Sequence, residues 1–205
     1  MFNQDCLIGQ QPAVTLTGCL RRRTAQLLLL LACCFPVPSS AEDPGIFQLE
    51  DAHTWRTEAG DFLNAQFDIL LSSGAEEAVK NGVPLMFEFQ VQVVKKNVWL
   101  WDKVEIERVR YRQLKYHALS ESYQVKNISA ASQGNYRRLD DALRAVGNFQ
   151  NLLLSGEMLD SELNYEIRLR GSLDIEALPT PVRLIAYVSS AWDMTSKWYS
   201  WPLVR

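Results

Sequence analysis

Apolar and polar residues alternate with a period of two along most of this chain from Phe47 onward. Val83, Leu85, Phe87, Phe89, Val91 and Val93 are apolar, while Glu88, Gln90 and Gln92 between them are polar. Such spacing sends successive side chains to opposite faces, so the segment predicts a half-buried β-strand. Leu163, Tyr165, Ile167 and Leu169 alternate with Asn164, Glu166, Arg168 and Arg170 in the same way. Ala65, Phe67, Ile69 and Leu71 alternate with Gln66 and Asp68. Tyr123 and Val125 mark a shorter strand, and Phe47–Trp55 opens the sheet. Val182–Val188 is apolar and β-rich, which reads as a well-covered strand, with a helix as the alternative. Lys95-Lys96-Asn97 reads as a turn into a long strand from Val98 to Lys115. Within that strand Val104 and Ile106 share one face, whereas Val109 and Tyr111 take the other. A β-bulge near Glu107 or Arg108 restores the phase; a strand covered on its two faces by different layers needs none.

Two segments follow the helical period instead. Ser73-x-x-Glu76 has the form of a capping box, Ala75, Ala78 and Val79 share a side, and Gly82 then Pro84 close the helix. Leu139, Ala142, Leu143 and Val146 keep the i, i+3, i+4, i+7 spacing across a helix from Arg137 to Val146, which Gly147 stops. Hairpin-linked strands with two short helices as connectors predict a mainly β fold, an antiparallel β-sandwich-like domain. An α+β sheet with helices on one face is the alternative.

The start of the chain changes the picture. Arg21-Arg22-Arg23, the apolar run Leu27–Phe35 and then Ser39-Ser40-Ala41 have the layout of a signal peptide cleaved after Ala41. The run is shorter than the roughly 20 residues a membrane-spanning helix needs. The reading is therefore residues 1–41 as a leader with extra residues ahead of the arginines, then one β-rich domain at 42–205, in the periplasm. A lipoprotein anchored at Cys33 and an uncleaved anchor from Thr24 to Val37 are the alternatives. Cys6, Cys19, Cys33 and Cys34 all fall in the leader, so the mature chain has no thiol for a disulfide, a nucleophile or a metal. Removing Asp5 from the 24 acids and Arg21–Arg23 from the 21 bases leaves 23 against 18, a net charge of −5. An acidic mature chain speaks against a nucleic-acid partner, and no second long apolar run provides a membrane span.

Candidate chemistry is sparse. Trp192, Trp198, Tyr199 and Trp201 crowd the last stretch, and Trp99 and Trp101 share a face at the start of the long strand. Exposed indoles anchor interfaces or bind ligands; buried ones fill a core. Of the terminal cluster, Trp198 and Trp201 are the expected surface members. Arg108, Arg110 and Arg112 form a ladder at about 6.6 Å intervals, able to take carboxylate or phosphate groups. The alternatives are ion pairs with acids such as Glu121 or Glu166, or protection of an exposed strand from edge-to-edge pairing. His53 and His117 fall in different strands, no serine sits in a G-x-S-x-G elbow, and Glu76-Glu77 and Asp140-Asp141 sit at helix starts where acids are expected. No catalytic residue, metal or cofactor is expected.

A wider set of motifs remains. Glu77-Ala78-Val79-x-x-Gly82-Val83-Pro84-Leu85 is followed by Trp99-x-Trp101-Asp102 and Leu114-x-Tyr116-x-x-Leu119-Ser120-x-x-Tyr123-x-Val125. Asp141-Ala142-Leu143 with Gly147, Leu173-Asp174 before Leu178-Pro179-x-Pro181, and Trp192-Asp193-x-x-Ser196-x-Trp198-x-x-Trp201 complete it. Together these resemble an uncharacterised family of proteobacterial exported proteins, a domain of unknown function carrying the label of proline-rich signal-peptide proteins. The resemblance covers nearly all of the mature chain and its motifs are structural. It implies a gene beside a membrane sensor kinase and hence a role in envelope sensing. The expectation is a non-enzymatic periplasmic binding or interaction module, whose partner is an envelope protein such as a sensor-kinase ectodomain. The alternatives are a carrier of an acidic or lipid-like small ligand and, last, a hydrolytic enzyme.

Overall fold

The computed structural model describes residues 45–97, 99, 101–156, 159 and 164–203. The segment read as a leader, with its cysteines and the alternative anchors, as well as Val98 and Leu163, lie outside the described residues. Among the described residues, nine strands make two antiparallel sheets. The small sheet holds β1 (Ile46–Thr57), β2 (Gly60–Leu70) and β7 (Asn148–Ser155), in the order β1-β2-β7. The large sheet runs β6-β5-β4-β3-β8-β9, with β3 Leu85–Lys95, β4 Lys103–His117, β5 Ser122–Asn127, β6 Ser132–Tyr136, β8 Tyr165–Leu173 and β9 Tyr199–Pro202. The mainly β sandwich that the alternation predicts is the observed architecture.

Alternation becomes core wherever the sheets face each other. Leu63, Ala65, Phe67 and Ile69 of β2, Phe87, Phe89, Val91 and Val93 of β3, and Ile167 and Leu169 of β8 are all buried. Their rings bridge the layers: Phe89 lies 4.6 Å from Phe149 of β7 and 5.3 Å from Phe67, centroid to centroid. Each such fully buried side chain contributes about 1.5–3 kcal/mol.

Both expected helices are present. The first, α1 (Ser73–Lys80), starts one residue earlier than a Ser73 capping box implies. Ser72 is its cap and accepts from the Ala75 amide. At its far end Gly82, with φ +81°, lets the Gly82 and Val83 amides donate back to Val79 and Ala78. The second, α2 (Leu139–Gly147), lies against β2 of the small sheet and β4, β5 and β6 of the large one, closing one end of the seam between them.

Other segments depart from the sequence pattern. Val182–Val188 does not form a covered strand: α3 (Thr180–Ala186) occupies most of it and buries only Ala186. Pro181 presets the first helical turn, and the Arg183 guanidinium donates to the Leu178 carbonyl. Leu184, Ile185, Tyr187 and Val188 are left exposed. The long strand begins at Lys103 rather than Val98. Its register with β3 runs unbroken from Leu85↔Leu114 to Val93↔Ile106 and shifts only between Val93 and Val94, so the extra residue is Glu105 and not Glu107 or Arg108. Ile106 and Val109 therefore do lie on opposite faces. β6 and β7 went unpredicted because Ser132–Tyr136 is nearly all polar and Asn148–Ser155 lacks alternation.

Candidate functional site

The β3–β4 hairpin carries the least covered aromatic side chains among the described residues. Trp99 is 94% exposed and Trp101 92%. Neither stands in β4; both belong to the connection ahead of it, and so do not share a strand face. The connection is nonetheless held in place. Asp102 accepts from Lys96 Nζ at 2.8 Å and from Arg168 Nη2 of β8 at 2.9 Å, and Arg168 Nε reaches Glu166 at 2.7 Å. Asn97 Nδ2 donates to the Trp101 carbonyl at 3.0 Å, and the Lys96 amide to the Asn164 carbonyl. The hydrogen bond from Lys96, with the Arg168 guanidinium behind it, holds the Asp102 carboxyl below the usual carboxylate range. Asp102 in turn raises Lys96. A clamped base thus presents two bare indoles.

The arginine ladder lies on the inner face of the large sheet. Arg112, Arg110 and Arg108 stand opposite Phe87, Phe89 and Val91, all three of them core residues. Arg112 is engaged by its own fold. Its Nη1 donates to the carbonyls of Ala145 and Val146 at the end of α2, the latter at 3.1 Å, and its guanidinium lies 4.1 Å from the centre of the Phe149 ring. The helix C-terminus and the ring face stand in for a counter-ion. Burial still pushes this guanidinium down to about 10, and its Nε has no partner among the described residues. Arg108 and Arg110 form no ion pair with any described residue. The acids proposed for them are elsewhere: Glu166 serves Arg168 and Lys96, and Glu121 sits in the β4–β5 turn at φ +46°.

The terminal aromatics divide. Trp192, in a short 3-10 turn (Ser190–Trp192), is 5% exposed and lies against Gly74 of α1. Trp201 pairs with Ile167 and packs on the core, its Nε1 buried without a partner. It is not the bare surface ring expected. Tyr199 also packs on the core, with the Lys197 ammonium 5.1 Å from its ring. Trp198 alone of the cluster reaches solvent substantially, at 39% exposure, with the Arg170 guanidinium 5.7 Å from its ring. No ring contact among the described residues joins this cluster to Trp99 or Trp101.

Other features are modest. A crevice of about 540 Å³ between α2 and β5–β6 is bordered by Gln66, Arg112, Asn127, Tyr136, Arg144 and Asn148. Buried Asp61 makes a bidentate pair with Arg56 at the β1–β2 hairpin, a structural contact. His53 on β1 and His117 on β4 lie in different sheets, and no group of three or more metal-ligating side chains is present among the described residues. None of their helices is long and apolar enough to cross a membrane.

The model of a domain of unknown function, DUF4390, matches residues 46–202, which is the whole of the nine-stranded unit. The chain belongs to the DUF4390 family. No curated protein and no solved structure matches it. Several of the motif positions noted in the sequence bear the fold: Gly82 ends α1, Leu114 is core, and Trp192 fills the space beside α1. The Trp99-x-Trp101-Asp102 motif differs, because only its Asp102 has a visible structural task.

Proposed function

We propose that this DUF4390 domain is a non-enzymatic binding and interaction module of the cell envelope, exported by its leader and docking on a protein neighbour through the β3–β4 hairpin tip. The observation that carries this reading is the near-complete exposure of Trp99 and Trp101 on a connection pinned by Asp102. Exposed tryptophan has no role in the stability of the free chain, whereas indoles are among the commonest anchors of protein interfaces. A sensor-kinase ectodomain is the partner that the resemblance to exported proteins encoded beside such kinases implies. A carrier needs a pocket with apolar walls, whereas the crevice beside α2 is bordered largely by amides and guanidiniums, with only Arg112 of the ladder.

Crosslinking in intact cells tests the reading. Trp99→Ala with Trp101→Ala should abolish the crosslinked partner band while thermal melting stays unchanged. A partner captured equally by the double variant would sink it, as would a large drop in melting temperature.

A further inference from the structure

One edge of the large sheet is left open in an unusual way. β5 pairs with β4 only from Arg112 to His117. Just before that, the Ile128 amide donates to the Tyr111 carbonyl and the Tyr111 amide reaches Ser129 Oγ. In an antiparallel ladder the amide and carbonyl of one residue point to the same side, and successive residues alternate. Tyr111 points away from β3, so Val109 and Glu107 do too. Their amides and carbonyls meet no described residue, while Arg108 and Arg110 between them pair with Val91 and Phe89 of β3.

The side chains flanking this edge are selective. On its inner face stand Arg108 and Arg110, guanidiniums that pair with no carboxylate among the described residues. Arg110 borders a crevice of about 250 Å³ shared with Asn127, Ser129, Gln150 and Asn151. On the outer face stand Glu107 and the half-buried Val109. Inward charge on an open edge is a known defence against self-pairing. Two copies meeting edge to edge would set guanidinium against guanidinium, which is disfavoured. The same row attracts carboxylates, which guanidinium forks bind bidentately. Refusal of a copy and acceptance of an acidic strand thus have one cause. The neighbouring edge of β7 is a poorer template: its register with β2 breaks twice and Asn151 turns at φ +54°.

We infer that the β4 edge at Glu107–Val109 accepts an extended acidic segment of a protein partner as an added strand, its alternate carboxylates meeting Arg108 and Arg110. This rests on the interaction-module reading and names the chemistry of the partner. Backbone pairing supplies affinity and the arginine row supplies register and selectivity. The Trp99/Trp101 tip, at the start of the same hairpin arm, lies beyond the added strand and anchors its far end.

Titration of the full chain with two synthetic ten-residue peptides tests this. In one, glutamate alternates with threonine; in the other the same residues form a glutamate block and a threonine block. The alternating peptide should bind about tenfold more tightly or better. Glu107→Pro removes an edge-facing amide and leaves the β3 ladder whole, so it should lower that affinity by a similar factor. A peptide N-methylated at its pairing residues should fail equally, which keeps the test valid if the proline variant folds poorly. Arg108→Glu with Arg110→Glu should reject the glutamate peptide and accept its lysine counterpart. Equal binding of both peptides, or full affinity after N-methylation, overturns the inference. Capture by phosphatidylglycerol vesicles with no peptide binding overturns it in favour of a lipid surface. If either occurs while the tryptophan-dependent crosslink persists in cells, the module reading stands and only strand addition falls.

Discussion

Arg112 and Arg110 stand two residues apart on one face of one strand, yet the molecule treats them differently. At the helical end of the sandwich α2 spans the seam, and its terminal carbonyls and the Phe149 ring enclose Arg112. At the hairpin end nothing described spans it, and Arg110 and Arg108 face an open edge. The tryptophans repeat the contrast: Trp192 is buried beside α1, while Trp99 and Trp101 at the hairpin tip are bare. A residue type that is structural where a helix packs over it is available for recognition where no described helix does.

The contrast can be broken in four places, beginning with the largest effect. Trp192→Ala should cost about 3–5 kcal/mol of stability in urea denaturation, while Trp99→Ala should stay within about 0.5 kcal/mol. Equal losses would erase the distinction between the two aromatic groups. Gly147→Ala comes next. A β-carbon there would collide with the Phe67 carbonyl oxygen, so α2 must shift off β2. The expected cost is about 3 kcal/mol, with weaker amide-exchange protection along α2; unchanged stability would show that the helix is not pressed against the small sheet.

Arg112→Ala should cost about 2 kcal/mol, because it strips the end of α2 of a charged donor. Arg110→Ala should change stability by less than about 0.5 kcal/mol. Paired denaturation curves of the two variants test the central comparison directly, and the reverse order would refute it. The smallest effect is local and depends on pH. The Asp102 carboxyl is held below the usual range, so its clamp is complete above pH of about 4 and is lost as pH falls through its depressed value. Acidification should therefore lower the exchange protection of the Lys96 amide, relative to its intrinsic rate at each pH, before the core strands respond. Protection that falls uniformly through β3 and β8 would mean that Asp102 holds no local clamp.

Much of the fold was legible because alternation is a local property. Leu85–Val93 and Tyr165–Leu169 announce their buried faces whatever they pack against, and i, i+3, i+4 spacing marks α2. Less of the site could be read. The arginine ladder was visible as spacing, but spacing does not say whether a face looks inward or outward. Val182–Val188 illustrates the opposite failure: β-rich composition pointed first to a strand, yet Pro181 and the Arg183 contact with Leu178 stabilise the alternative, a helix.

By itself the sequence determined the alternating faces of β2, β3 and β8, the helical period of α2 and the two aromatic motifs, since each depends on residues near one another along the chain. Only the tertiary structure decided that α2 closes one end of the seam, that Arg112 is taken by that helix, and that the edge at Glu107–Val109 stays open. Those outcomes follow from β4 meeting β5, β7 and α2, segments distant in sequence whose coverage no local period encodes.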